Sequence, residues 1–391
     1  MTHCVPSQEE YVRTAIEVST RTVMSSIPDV LVVGAGAIGA ACARALALAG
    51  ARVTLLERPS PTGEAWRASA GMLAAQVEAG MDNLGLDLAV AGRAFLRRNA
   101  ELLLQTTGID VGLMECGILR LVRTEAEVET IKEQVAWQRQ QAHRADWLSV
   151  DDVADSWPWL SRCLGGFWSP EDGAVDPERL VAAFRADAVR LGARVVTDTA
   201  LGLDRNGNRL LGVVGDARRY PAATVVVAAG AWSGRLADLP RPLSVEPVRG
   251  QMLAFPWPAA TPAAIVYGEG CYLLRRGEEM LVGATVEHAG FDARVTAPGL
   301  AQLHRSASAV YPELTAMQPL RSWAGLRPWT PDGLPIIGEE PRLPGLWYAT
   351  GHGRRGILLA GITGDLVARG VRGESLREEL SPFRPERFWN W

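Results

Sequence analysis

The chain has 391 residues, 48% of them hydrophobic and 21% charged, and carries a net charge of −4. That balance excludes the basic face on which nucleic-acid binding depends, and the length suits two domains built around a shared site. The five cysteines (Cys4, Cys42, Cys116, Cys163, Cys271) are scattered and form no CxxC pair, so they read as reduced thiols, with neither disulfides nor a metal centre expected.

Residues 1–28 contain three glutamates and no apolar run of signal-peptide length, and read as a peripheral or poorly ordered extension of a cytoplasmic protein. Val30 to Val33 is a short apolar run, expected as a buried strand. It leads into Gly34-Ala-Gly36-Ala-Ile-Gly39, and small and apolar residues then continue at helical spacing to Ala49. Gly50 stops that helix, and ARVTLLE supplies a second strand ending at Glu57. Arg44 and the glycine spacing interrupt the apolar stretch, so a membrane span is not expected. In such a unit Gly34 permits the tight turn, Gly36 lets the backbone approach a pyrophosphate, and Gly39 lets helix and strand pack closely. The phosphates lie at a helix N-terminus, where unpaired N–H groups favour negative charge. Glu57 stands where it can accept hydrogen bonds from ribose hydroxyls, and an acid there disfavours the 2′-phosphate of NADP. NAD and FAD both fit this unit.

Further along, EAEVETIKEQVAWQRQ is a polar helical stretch holding Lys132, the single lysine, which is expected to be solvated and not a Schiff-base residue. TVVVAAGAWS (224–233) is another buried strand. CYLLRR and EMLVGATV alternate as strands with one face on a pocket would. GLWYAT (345–350) is a strand and GILLAGITGDLVA a helix, so GHGRRG between them is a second strand-to-helix turn.

Seven ordered stretches resemble the D-amino-acid oxidase and glycine oxidase family of flavoproteins: ASAGMLAAQVEA (68–79), VDPERL (175–180), EPVRGQML (246–253), CYLLRR (271–276), LVGATVEHAGFD (281–292), AGLRPWTPDGLPIIG (324–338) and GHGRRGILLAGITG (351–364). The resemblance runs from Asp29 to about Arg384 and is strongest towards the glycine oxidases. It implies an α/β fold: a Rossmann-type, doubly wound FAD-binding domain with a second, substrate domain on a large antiparallel or mixed sheet. The FAD domain would comprise residues 29–110, 168–245 and 324–391, and the substrate domain 111–167 and 246–323. The implied cofactor contacts are Gly34, Gly36, Ala37, Ile38, Gly39, Glu57 and Arg58 in the first unit, then Ser69, Ala70, Gly71 and Met72. Ala229 and Gly230 follow, with Gly351, Gly353, Arg354, Arg355, Gly356 and Ile357 in the last turn. Sarcosine oxidases, which are relatives, tether flavin to a cysteine in the loop matching AGLRPW. This loop has none, so FAD is expected to be held non-covalently.

The resemblance further implies hydride transfer from the substrate Cα to flavin N5, a step that needs orientation and electrostatics but no protein base when the amine arrives neutral. Arg327 matches the arginine that grips the substrate carboxylate, where a planar guanidinium makes two parallel hydrogen bonds. Tyr272 matches a tyrosine on the same carboxylate, and Arg354 a second arginine on the substrate side. Met72 is expected to line the pocket. His352 is read as structural, and Arg355 as a surface salt-bridge residue. At Gly353 the relatives usually carry a bulky aromatic, so space is expected beside the substrate amine. The expected substrate is thus glycine or, in preference, an N-substituted glycine, with dioxygen as acceptor and glyoxylate, the released amine and hydrogen peroxide as products. No nucleic-acid or membrane partner is expected, and a homo-oligomer is compatible with the sequence. The alternatives are a glycine oxidase serving thiamine biosynthesis, a D-amino-acid dehydrogenase passing electrons to a quinone, and a non-catalytic FAD-binding subunit.

Overall fold

The computed structural model describes residues 29–59, 62–81, 85–258 and 265–389; the expected extension at 1–28, with Cys4, lies outside them. Val30–Val33 forms a fully buried strand at the middle of a six-stranded sheet, pairing in parallel with Val53–Glu57 on one side and Thr224–Val227 on the other. The sheet runs 336–339, 346–350, 224–227, 30–33, 53–57, 194–197, and only its 336–339 edge is antiparallel. Strands buried on both faces read as unbroken Val/Leu runs, which is why three of them are visible in sequence.

The helices Ala37–Leu48, Leu86–Thr107, Pro177–Arg190 and Gly356–Val371 cover this sheet. Ala37–Leu48 and Gly356–Val371 pack closely because both are rich in small residues: a Cβ on Gly364 would stand 2.6 Å from the Ala41 carbonyl oxygen. Pro177–Arg190 starts at Asp176, whose carboxylate accepts from the Glu178 and Arg179 amides, with Pro177 as the first helical residue.

The second sheet has eight strands in the order 321–329, 246–256, 279–283, 271–276, 265–268, 118–122, 165–169, 146–148. Its pairings are antiparallel except between 265–268 and 118–122, so the sheet is mixed. The divisions drawn from sequence at 167/168 and 323/324 fall inside Gly165–Ser169 and Arg321–Trp329, strands that pair along their whole length within this sheet. One core cluster, including Phe255, Leu273 and Val282, lies on one face of this sheet under helix Ala297–Val310. The other face holds Met252, Leu274 and Tyr272 and packs against Ile131 and Val135 of helix Glu125–Gln140 and against Ala70, Ala74 and Val77. Among the described residues no helix is long and apolar enough to cross a membrane.

Candidate active site

A cleft of about 400 Å³ runs between the two sheets. One end is built by the first strand-turn-helix unit. Gly34, Gly36, Ala37 and Ile38 line the cleft, whereas Gly39 lies behind the turn, where a Cβ would fall 1.8 Å from the Gly34 carbonyl oxygen. Glu57 ends its strand beside them. Its carboxylate accepts from the Ala35 amide at 2.7 Å and the Arg58 amide at 3.1 Å. Arg185, from helix Pro177–Arg190, donates to the Ala35 carbonyl at 2.7 Å and stands 3.7 Å from Glu57. Arg58 lies over the Trp232 ring at 4.0 Å and pairs with Glu64.

Two buried polar atoms in this wall, Trp66 Nε1 and Glu64 Oε2, have no hydrogen-bond partner among the described residues. Polar groups without a protein partner at the lining of a cleft are ones that a polar ligand would satisfy. They stand beside a glycine turn at a helix N-terminus and an acid at the next strand end, so the residues present fit a dinucleotide.

The cleft continues along Ser69, Ala70, Gly71 and Met72 on one side and Ala229 and Gly230 on the other. It reaches Gly353, Arg354, Arg355, Gly356 and Ile357, where helix Gly356–Val371 begins. Gly351 is not part of the lining; it sits against Thr330 and Ile336 at φ +73°.

Past that helix end, the second sheet presents Arg327 and Tyr272, both in the lining. Arg327 lies on strand Arg321–Trp329 opposite Val248, and a Cβ on Gly250 would stand 2.4 Å from its guanidinium, so the neighbouring strand must be bare there. Arg327 donates to the Thr285 carbonyl at 2.9 Å and has no carboxylate partner among the described residues. Burial draws its pKa below the usual guanidinium range, but an arginine stays charged. Tyr272 is buried, with its hydroxyl 3.3 Å from Met252 Sδ, and burial raises its pKa.

Arg354 stands in the same lining as Arg327 and Tyr272. It is not a free cation: Glu78 pairs with it at 2.9 Å, and the Tyr267 hydroxyl donates to the same carboxylate. Glu78 holds the Arg354 guanidinium well above its ordinary range, and burial with Glu78 pushes Tyr267 well up. The surface salt bridge expected of Arg355 is the expectation that the structure corrects. Arg355 donates to the Glu78 carbonyl at 2.9 Å, because the turn that carries Glu78 comes within reach of the helix start.

His352 is buried, with Nε2 3.0 Å from the Thr363 hydroxyl and Nδ1 unpartnered among the described residues. Burial lowers its pKa to about 3, so the ring is neutral in ordinary buffers. Gly353 stands at φ +53°, and a Cβ there would meet only the Trp329 indole, at 3.7 Å. The room expected beside the amine is therefore bounded by Trp329. A second cavity of about 760 Å³ shares Glu78, His352, Gly353, Arg354 and Arg355 with the first and extends to Trp329 and Leu334.

Glu78, Tyr267, Trp66, Arg185 and Trp329 escape the sequence reading. Two of them left a signal. Glu78 is the one acid in the apolar stretch ASAGMLAAQVEA, and Tyr267 and Tyr272 flank a Glu-Gly turn symmetrically. The hairpin pairs those tyrosines directly, which puts them on one face.

Residues 29–369 match the family model described as FAD dependent oxidoreductase. The chain is 36% identical to a glycine oxidase of Geobacillus kaustophilus over 91% of its own length and 96% of that protein. The crystal structure of glycine oxidase from Geobacillus kaustophilus superposes with a TM-score of 0.88 at 34% identity, covering 93% of this chain and 99% of the other. The crystal structure of iminodiacetate oxidase from Chelativorans sp. BNC1 gives a TM-score of 0.82 at 28% identity, covering 91% and 98%.

Proposed function

Because the chain belongs to the family of FAD-dependent oxidoreductases, with FAD as its cofactor, we propose that it is an oxidase of glycine or an N-substituted glycine. The observation that carries the reading is Arg327: a half-buried cation without a carboxylate partner among the described residues, in the wall of the cleft that begins at the dinucleotide turn. A group so placed attracts an anionic end and, by a two-pronged hydrogen bond, fixes its orientation. Tyr272 adds a donor beside it.

The six-stranded sheet would serve FAD and the eight-stranded sheet the amino acid. The chemistry FAD supplies when bound is the two-electron oxidation of the Cα–N bond, with dioxygen as the final acceptor. Hydrolysis of the resulting imine gives glyoxylate and the released amine; the electrons leave as hydrogen peroxide. The protein's own part is to hold the carboxylate at Arg327 and Tyr272 and to keep His352 neutral. The N-terminus of helix Gly356–Val371 favours the negative charge that reduction brings to the cleft. Arg354, already neutralised by Glu78, would border the amine side without competing for the carboxylate.

An N-substituent is supported by the glycine at 353 and by the second cavity that shares it. The neighbour described as iminodiacetate oxidase acts on a molecule of that kind. The test is a panel of glycine, sarcosine and longer N-alkylglycines offered to the purified protein, read as oxygen uptake, peroxide and glyoxylate. Products from none of them would end this reading.

A further inference from the structure

The turn 74–79 joins the two halves of the site. It follows strand Met72–Leu73, which lines the cleft through Met72, and it ends in Glu78, the shared partner of Arg354 and Tyr267. An exposed turn of this kind would move. This one is buried and is held by side chains from three other segments.

Asp172 is the centre of the arrangement. It is fully buried, and its carboxylate accepts from three successive backbone amides, Ala75 at 3.1 Å, Gln76 at 3.0 Å and Val77 at 3.0 Å. Arg93, from helix Leu86–Thr107, donates to Asp172 at 2.5 Å, to the Gln76 side chain at 2.8 Å and to Glu171 at 2.9 Å. Gln138 and Gln134, from helix Glu125–Gln140, donate to the Gln76 and Ala79 carbonyls at 2.9 and 2.6 Å. A carboxylate at full burial costs several kcal/mol unless its lone pairs are filled. Here they are filled by the backbone of one turn and by one arginine. Packing alone would be satisfied by an apolar residue; three aligned amides on one carboxylate fix where the turn points.

We propose that Asp172 is a positioning residue for the substrate side of the site: it sets the turn 74–79 so that Glu78 meets Arg354 and Tyr267, and through them it governs how the amino acid is held. The proposal rests on the oxidase reading above. Asp172 touches neither the cleft nor Arg354, and it acts only through Glu78. Loss of its charge frees the turn, leaves Arg354 without a fixed partner, and weakens the placement of the amino acid while the dinucleotide end stays intact.

The test uses the FAD-loaded protein. Asp172→Asn keeps the shape and removes the charge. The expected result is wild-type FAD content and FAD dissociation constant, at least a tenfold rise in KM for glycine or sarcosine, and a kcat within about threefold. Acetate titration, read from the bound flavin's absorbance, is expected to show the same tenfold weakening without turnover. Combined with Glu78→Gln, the two changes should raise KM little more than Glu78→Gln alone. If Asp172→Asn does not fold, Arg93→Lys decides: it keeps a charge near Asp172 but breaks the links to Gln76 and Glu171, and a threefold or larger rise in KM is expected. Unchanged KM and acetate affinity in the folded variant, or effects that multiply with those of Glu78→Gln, overturn the proposal. A wild-type protein that oxidises no glycine derivative overturns the oxidase reading instead.

Discussion

Arg327 is the residue on which the proposed chemistry turns, and its surroundings make the consequence of losing it large. Arg327→Ala removes a cation of the substrate wall that has no carboxylate partner among the described residues, and the bound carboxylate would then lose its counter-charge. The expected fall in kcat/KM is about two to four orders of magnitude, with the flavin spectrum nearly unchanged. Arg327→Lys should recover little, because a point charge cannot reproduce a planar fork. Near-normal activity in either variant, measured by oxygen uptake, would move the carboxylate site elsewhere. Gly353 offers a second residue-scale test. Its φ of +53° means that any side chain but Asn adds strain of about 1–2 kcal/mol to the effect of volume. Gly353→Asn is therefore the control and Gly353→Tyr the filler. The tyrosine should depress kcat/KM for long N-alkylglycines more than for glycine, while the asparagine depresses none strongly; equal losses across substrates in both would refute a role for that space. Arg327 was reached only through the resemblance of AGLRPW to the family's stretch, read there as a loop, whereas the structure places it on strand Arg321–Trp329. The partner of Arg354 was not legible, because Glu78 lies far from it in sequence and only the fold brings its carboxylate within 2.9 Å.

At the scale of elements, the first strand-turn-helix unit was readable almost residue by residue, since glycine spacing and the terminal acid follow from local geometry. Gly39→Val should abolish FAD binding, because the Gly34 carbonyl already occupies the place of a Cβ. Retention of yellow colour after gel filtration would contradict this. The eight-stranded sheet was readable only as separate strands. Its order depends on 265–268 pairing in parallel with 118–122, a contact with no local signature. Helix Gly356–Val371 carries a further consequence in Asp365, whose pKa is raised to about 6, chiefly by burial. A carboxyl with a raised folded pKa stabilises the fold at low pH, and that contribution is lost as pH rises through about 6. At pH 8 the helix therefore holds an ionised group at a disadvantage. Asp365→Asn should stabilise the fold at pH 8 by about 3 kcal/mol, seen as a higher melting temperature, and change it little near pH 4. Equal shifts at both pH values would show that ionisation is not the cause.

For the whole molecule, the cleft draws its lining from Val33 through Leu358, so FAD held there would bridge the first strand of the described fold and the start of helix Gly356–Val371. FAD at about a hundred times its dissociation constant should stabilise the native state by about 2.7 kcal/mol, observed as a concentration-dependent rise in melting temperature. Acid precipitation should release all the flavin as FAD, since AGLRPW offers no cysteine; colour left in the pellet would show a covalent bond. That long-range lining also sets an order of events during synthesis. A ribosome delivers the glycine turn at Gly34 early, but the far wall of the cleft waits for helix Gly356–Val371, which packs directly on helix Ala37–Leu48. Until that late helix emerges, the growing chain carries half a nucleotide site facing an unfinished groove. Cofactor capture then belongs to the last stage of the protein's making, and cells starved of riboflavin should accumulate full-length, colourless chains that turn yellow on adding FAD.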